Sequence, residues 1–425
     1  MFASLVSAEI GFDGVKKADL NEELSNIEIS APSAAEAADK GILADLFGIR
    51  RAKEWTIMVF GNGKNDLEPF LLKDLNEMEK IGSSGGVNVV VEAGRIDGYD
   101  ESDGDWKGVR RYLIKKDNDT EKVNSPVLKD MGSVDMGDYK SVIDFAKWAK
   151  SAYPAKKYML IFWNHGAGWT KNGQPRITKG ISYDEESGNH INTPQMATIL
   201  KEIGGVDVVG TDACLMAMAE VNYEIKDSVK YIVASEETEP GDGYTYDLFL
   251  GPVVAKPTMT AMEVGKAAVD GYSNHYDGID QGYTQSLVLA SAMTKLPQLT
   301  DAFGAAVMAA GEKALAKSAR DGAINYAYPE NRDLYDFTRL VVEGTKNADV
   351  KAKGQALMNF ITGELVLHSR ARDSKPSYWS PAKKYSLSKG IAAYLPPAGL
   401  GEGYTDLAWA KATQWDEFAL WLNQP

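Results

Sequence analysis

The sequence predicts an α/β protein built on a mostly parallel sheet, and two observations predict it. Short, continuously apolar runs recur through the first 250 residues: WTIMVF (55 to 60), VNVVVEA (87 to 93), KYMLIFW (157 to 163), GVDVVG (205 to 210) and KYIVAS (230 to 235). Runs of that length, rich in β-branched and aromatic residues, read as strands buried on both faces. Amphipathic stretches with helical spacing lie between them, the alternation that joins parallel strands through crossover helices.

Taken in order, residues 1 to 53 form a polar, Ala-rich N-terminal arm or pro-segment with no strand pattern, ending in the basic cluster Arg50-Arg51-Ala52-Lys53. Trp55 to Phe60 is the first strand, Gly61-Asn62-Gly63 reads as a turn, and Leu67, Phe70, Leu71, Leu75 and Met78 mark a helix. A second strand at Val87 to Ala93 precedes a segment, Trp106 to Lys116, expected as an antiparallel arm. A helix over Lys140 to Ser151 leads into the third strand, Lys157 to Trp163. The strands at Gly205 to Gly210 and Lys230 to Ser235 flank a helix with Met216, Met218, Val221 and Ile225. Residues 54 to 250 thus make the core. Residues 251 to 425 are helix-rich, with helices at Met262 to Tyr272, Leu296 to Ala319 and Leu334 to Val342, and a strand SLVLA between the first two. A late strand GIAAYLP (390 to 396), expected to complete the sheet, and a terminal helix with Trp415, Phe418 and Trp421 close the chain. No internal repeat is present.

Composition narrows the function. Apolar residues make up 44% and charged residues 25%, the balance of a soluble globular protein. A net charge of −14 offers no basic stripe for a phosphate backbone, which excludes nucleic acid as the expected partner and favours the approach of cationic peptides. No run approaches the roughly 18 to 20 apolar residues of a membrane span. Met1 to Ala8 (MFASLVSA) reads as the tail of a signal peptide, with Val6-Ser7-Ala8 as a small-residue cleavage site, or as an unstructured N-terminus. A single cysteine, Cys214, excludes an intramolecular disulfide and a multi-thiolate zinc site. Standing alone, it would be read as a small buried hydrophobe.

Its position changes that reading. In an open parallel sheet, functional groups gather beyond the carboxyl ends of the strands. KYMLIFW runs straight into Asn164-His165-Gly166, and VDVVG into Thr211-Asp212-Ala213-Cys214. Parallel neighbouring strands would bring an imidazole and a thiol to one edge, the arrangement of a nucleophile with its proton-transfer partner. Cys214 is expected at the N-terminus of the helix beginning near Leu215, where the helix dipole would lower its pKa. For His165 by itself, a loop residue at a strand end is the plainer interpretation.

The words YMLIFWNHGAGW (158 to 169), DVVGTDACLMAMAEV (207 to 221) and IVASEETEPGDGYTY (232 to 246) resemble the clostripain family of clan CD cysteine peptidases, relatives of caspases, gingipains, legumain and separase. WTIMVFGNGKNDLE (55 to 68), DLYDF (333 to 337) and GIAAYLP extend the resemblance over most of the chain after residue 54. The separation of 214 − 165 = 49 residues is similar to the roughly 50 that part histidine from cysteine in caspases. The resemblance implies a caspase-like three-layer α/β/α sandwich and a secreted or periplasmic bacterial endopeptidase. It implies a His165/Cys214 dyad, with the N–H groups of Gly166 and Cys214 as oxyanion hole. Asp212 is similar to the family's S1 acid, selecting Arg or Lys at P1, while its local reading is a cap on the following helix.

Self-cleavage between the dyad residues is also implied. The turn-rich segment 170 to 189 offers Lys171, Arg176 and Lys179, with Lys179-Gly180 the first choice. No cofactor is required, although the acidic loop 236 to 243 makes Glu236, Glu239 and Asp242 a candidate calcium set. His190, His275 and His368 are expected to be structural or on the surface. A monomer acting on protein or peptide substrates is the default expectation. The competing readings are a scaffold without activity that binds cationic peptides in an acidic cleft, and a cysteine-nucleophile transferase or hydrolase on another α/β fold.

Overall fold

The computed structural model describes residues 52–169, 180–376 and 382–424. The N-terminal arm up to residue 51 and the three basic residues Lys171, Arg176 and Lys179 lie outside the described residues.

The described elements run β1 (Lys53–Gly63), α1 (Glu68–Ile81), β2 (Val87–Arg95), β3 (Gly108–Leu113), β4 (Val127–Gly132), α2 (Tyr139–Ala152), β5 (Ala155–Trp163), α3 (Thr193–Glu202), β6 (Val206–Asp212), α4 (Ala219–Ile225) and β7 (Val229–Ala234). Then come α5 (Tyr246–Ala255), α6 (Ala261–Gly278), β8 (Tyr283–Leu289), α7 (Leu296–Ala309), α8 (Lys313–Gly322), β9 (Asn331–Asp333), α9 (Leu334–Gly344), α10 (Ala348–Phe360), β10 (Val366–Arg372), β11 (Ala392–Tyr394), α11 (Ala408–Ala412) and α12 (Trp415–Asn423). Among the described residues nine strands form one sheet in the order β10-β8-β7-β6-β5-β1-β2-β3-β4. Its centre, β7-β6-β5-β1-β2, is parallel, and antiparallel strands close both edges.

Period-two alternation along the central strands sorts side chains into two cores. Met58 and Phe60 of β1 and Leu160 and Phe162 of β5 pack with α2, α3, α4 and the C-terminal helices. Ile57, Val59, Met159 and Ile161 face the other way, onto α1, α5 and α6. Burial on both faces makes these strands continuous apolar words, and the result is the expected α/β/α sandwich. Helix starts follow local chemistry: Thr260 with Glu263, and Asn192 with Gln195, form capping boxes at α6 and α3.

Several elements differ from expectation. Gly61 to Gly63 does not turn but extends β1, paired with Ala93, Gly94 and Arg95 of β2. The helix expected over 296 to 319 is two, α7 and α8, separated at Gly311. GIAAYLP does not complete the main sheet: β11 pairs antiparallel with β9 in a separate two-stranded sheet. The strand that does extend the main sheet is β10, whose sequence VLHSRAR carries no continuous apolar run to announce an edge strand.

One ion pair fixes where α1 begins. Arg95 Nε meets Glu68 Oε1 at 2.6 Å with both side chains fully buried, and Arg95 also donates to the carbonyls of Ser102 and Asp100. Replacing Arg95 by Met strands the Glu68 carboxylate in the interior, with an expected loss of about 3 to 5 kcal/mol in stability. The Glu68→Gln/Arg95→Met double variant is expected to regain more than half of that. Urea unfolding followed by tryptophan fluorescence decides: equal losses in the single and the double variant would mean the ion pair is not what positions this helix.

Candidate active site

Adjacent parallel strands set the site. β5 and β6 pair in register from Met159 with Val208 to Trp163 with Asp212. His165 and Cys214 each lie two residues beyond that last pair, so both leave the sheet at one edge. They line a single cavity of about 190 Å³. That volume suits one side chain rather than a whole small-molecule ligand.

Each wall is held by the chain around it. Asn164, nearly fully buried, accepts Tyr183 N–H at 2.7 Å and donates to the carbonyl of Asn62, tying the end of β5 to β1 and to the segment after residue 180. His165 Nε2 lies 2.7 Å from Asp66 Oδ1, on the loop between β1 and α1. That loop is shaped by Asn62 and Asn65, whose side-chain oxygens accept Lys64 N–H and Leu67 N–H. Gly166 is required at its place: a Cβ there would sit 2.4 Å from the Cys214 carbonyl oxygen and 3.1 Å from its nitrogen. Its N–H acts to lower the pKa of the Cys214 thiol.

The thiol differs from the sequence reading. No helix begins at Leu215: that residue adopts φ 64°, and α4 starts only at Ala219. Leu215 instead donates its N–H to the carbonyl of Glu237, and Glu239 N–H reaches Cys214 Sγ at 3.3 Å. A β-strand, a left-handed residue and a crossing loop, not a helix N-terminus, thus position the sulfur. Burial pushes the thiol up to about 12, the Glu239 and Glu237 charges push the same way, and the N–H groups of Glu239 and Gly166 pull against them. The expected dipole-lowered thiol is therefore corrected.

Asp212 is buried on the cavity floor, where Oδ1 accepts Tyr244 N–H and Oδ2 accepts the Tyr246 hydroxyl, both at 2.9 Å. It caps no helix, which removes that reading. Gly243, at φ 54°, lets the loop close over it, since a Cβ would lie 2.6 Å from Asp212 Oδ1. Two further acids line the same cavity: Asp74 from α1 and Glu239. Asp74 was missed, although the sequence carries a signal: Leu67, Leu71, Asp74 and Met78 fall on one helical stripe, so a carboxylate stands where an apolar residue belongs.

The candidate calcium set is not brought together. Glu236 accepts Gly390 N–H, Glu239 pairs with Gln285, and Asp242 pairs with Lys73 and His275. Among the described residues no group of three potential ligands is found. His275 is nearer the site than expected, because through Asp242 it anchors the cavity loop; His368 pairs with Asp270, and His190 stacks on Tyr183.

Similarity to known proteins accords with this geometry. A model of the clostripain family matches residues 59–421. Clostripain of Hathewaya histolytica is 31% identical over 214 residues, a match that takes in 45% of this chain and 40% of that protein. The chain thus matches less than half the length of this curated relative. Among solved structures, a secreted C11 cysteine protease from Bacteroides thetaiotaomicron in complex with an irreversible peptide inhibitor superposes with a TM-score of 0.65 at 18% identity, covering 86% of this chain and 99% of that one. An inactive zymogen C11 protease from Parabacteroides distasonis gives 0.61 at 16%, with the same coverage. At such identities the likeness is one of fold. The family match, by contrast, runs from within the first strand through both words that carry His165 and Cys214 to the terminal helix, and the chain belongs to the clostripain family.

Proposed function

We propose that this chain is a cysteine endopeptidase that cuts after Arg or Lys, with Cys214 as nucleophile and His165 as proton-transfer partner. The observation that carries the reading is the single cavity lined at once by His165, Cys214 and a floor carboxylate, Asp212. A basic P1 side chain would enter it and place its scissile carbonyl at the sulfur. The thiol gives its proton to the imidazole as sulfur bonds to the carbonyl carbon, and Gly166 N–H, joined by Cys214 N–H, steadies the oxyanion. His165 then protonates the departing amine, and water releases the acyl group. With Nε2–H donating to Asp66, Nδ1 is the nitrogen left for that exchange. Nucleophile, proton carrier and oxyanion donors all come from the chain, so the reaction needs no cofactor.

Maturation by self-cleavage within the loop 170 to 189, first at Lys179-Gly180, completes the proposal, together with action as a monomer outside the bacterial cytoplasm. Support for export comes from the secreted relative of the same fold. No described helix is long and apolar enough to cross a membrane. The chain on either side of the cut is well anchored: Ala167 N–H donates to the Gly180 carbonyl, Gly180 N–H to Gly168, and Trp169 packs edge-on against Tyr394 and Tyr404.

Fluorogenic peptides differing only at P1 test the activity. Arg and Lys peptides are expected to turn over, Asp and Leu peptides not, and turnover confined to the latter pair would refute the S1 reading. Cys214→Ala is expected to abolish turnover and to leave one unbroken band on a denaturing gel. Asp212→Asn is expected to lose at least roughly 100-fold in kcat/KM for basic peptides. Asp66→Ala should lower kcat about tenfold with little change in KM, because it frees the ring without touching the pocket. After processing, both fragments are expected to co-elute on native gel filtration and to part only in denaturant; separation under native conditions would contradict the anchoring.

A further inference from the structure

The floor of the cavity holds more acid than one P1 cation requires, and its acids are incompletely satisfied. Asp74 is 1% exposed; its Oδ2 accepts Trp163 Nε1–H at 2.6 Å, while its Oδ1 is buried with no hydrogen-bond partner. Glu239 receives Gln285 Nε2–H on Oε1 at 3.0 Å, and among the described residues its buried Oε2 has no donor, while Asp212 acts on the same carboxyl and raises its pKa. Three elements, α1, the end of β6 and the loop after β7, thus bring carboxyl groups to one cavity, and among the described residues no Lys or Arg lines it with them. An apolar floor would have been easier to build, because an unpartnered buried carboxyl oxygen is expensive. What such an arrangement lacks is donors, and a guanidinium or ammonium group supplies them.

Accepting the reading of this cavity as the pocket for a basic P1 side chain, we propose that Asp74 is a further specificity-determining acid of it. We propose also that a basic side chain, on binding, displaces a proton shared within the Asp74–Asp212–Glu239 cluster.

Three buried carboxyl groups lining one cavity of about 190 Å³ cannot all be charged, so without a cation among them the floor retains protons. Burial, with Asp212 and Glu77 adding to it, raises Asp74 well above the usual carboxylate range; burial and Asp212 do the same to Glu239, and burial raises Asp212 to about 7. The surrounding groups do not neutralise them. Lys73 of α1 is turned to Asp242 at 2.5 Å, His275 of α6 meets the same carboxylate, and Glu77 of α1 accepts Tyr246 N–H. Tyr244 and Tyr246 beside Asp212, and Tyr272 and Tyr276 of α6, stay neutral, their own ionisation pushed up by burial first and by these acids next. The sign follows: cation binding removes protons, so affinity falls as pH drops.

The test uses n-butylguanidine as a non-hydrolysable probe of the pocket. Calorimetry of the intact wild-type protein in phosphate and in Tris at pH 6.5 is expected to give buffer-dependent heats corresponding to release of roughly half to one proton. Its inhibition constant against an Arg peptide is expected to rise by up to about tenfold per pH unit below about pH 7. Asp74→Asn, which keeps the shape, should raise both that constant and KM for the Arg peptide by about 10- to 100-fold at pH 8 with kcat little changed, and shift the acid limb to lower pH. Identical heats in the two buffers, or an unchanged inhibition constant and acid limb in the variant, would overturn the proposal while cleavage after Arg still stood. Failure of the wild type to bind the guanidine or to cut after Arg or Lys would remove the pocket reading itself. The wild-type calorimetry needs no variant, so a misfolded Asp74→Asn protein would not shelter the idea.

Discussion

The pairing of β5 with β6 is the constraint from which the site follows. Because the two strands are parallel and Trp163 lies opposite Asp212, equal extensions of two residues carry the imidazole and the thiol off the same edge. Antiparallel pairing would send them to opposite ends of the sheet, and a register slip of one residue would turn one of them to the wrong face. The register is secured by both cores at once, since Leu160 and Phe162 are buried on one side and Met159 and Ile161 on the other. The placement of His165 and Cys214 therefore depends less on the loops bearing them than on apolar side chains some distance behind them.

The fold's central strands were legible because burial on both faces leaves a plain mark: an unbroken apolar word of five to seven residues. Elements that lacked the mark were missed. β10 is an edge strand that is half-buried beyond Val366, and its Arg370 and Arg372 pair with Asp277, so nothing in VLHSRAR announces a strand. The turn read at Gly61-Asn62-Gly63 failed for a different reason. Glycines there serve close approach within the β1–β2 pairing, with a Cβ at Gly63 meeting the Gly94 carbonyl at 2.8 Å, and chain reversal is left to the loop after Gly63, where Lys64 N–H and Leu67 N–H donate to the side chains of Asn62 and Asn65. A pattern of glycines cannot distinguish these two uses.

Within the site, His165, Cys214 and Asp212 could be read from two words, whereas Asp66 and Asp74 could not, because they arrive from an element far away in sequence. Asp74 did leave a trace as the one carboxylate on the apolar stripe of α1, an inconsistency between pattern and residue of the sort that functional positions produce. The helix expected behind Cys214 was misjudged because Leu215 to Met218 are as apolar as a helix face. They are instead laid along the sheet edge, with Ala217 bonded to Ser235 and to Ala392, and this extended path is what aims the sulfur into the cavity.

Electrostatics ties the nucleophile to the pocket beneath it. The thiol is held protonated first by burial, any ionisation of Glu239 and Glu237 adds to that, and Glu239 is also one of the acids of the floor. On the proposed reading a positive side chain seated among those acids displaces one of their protons, so the charge it brings is matched by the carboxylate it uncovers and the net field at the sulfur changes little. A basic P1 residue would then satisfy carboxyl oxygens that lack donors, and ionisation of the thiol would be left to its exchange with His165. An apolar or acidic side chain in the same place leaves those oxygens without donors, so selection would rest on how the pocket is filled and not on how readily the thiol ionises.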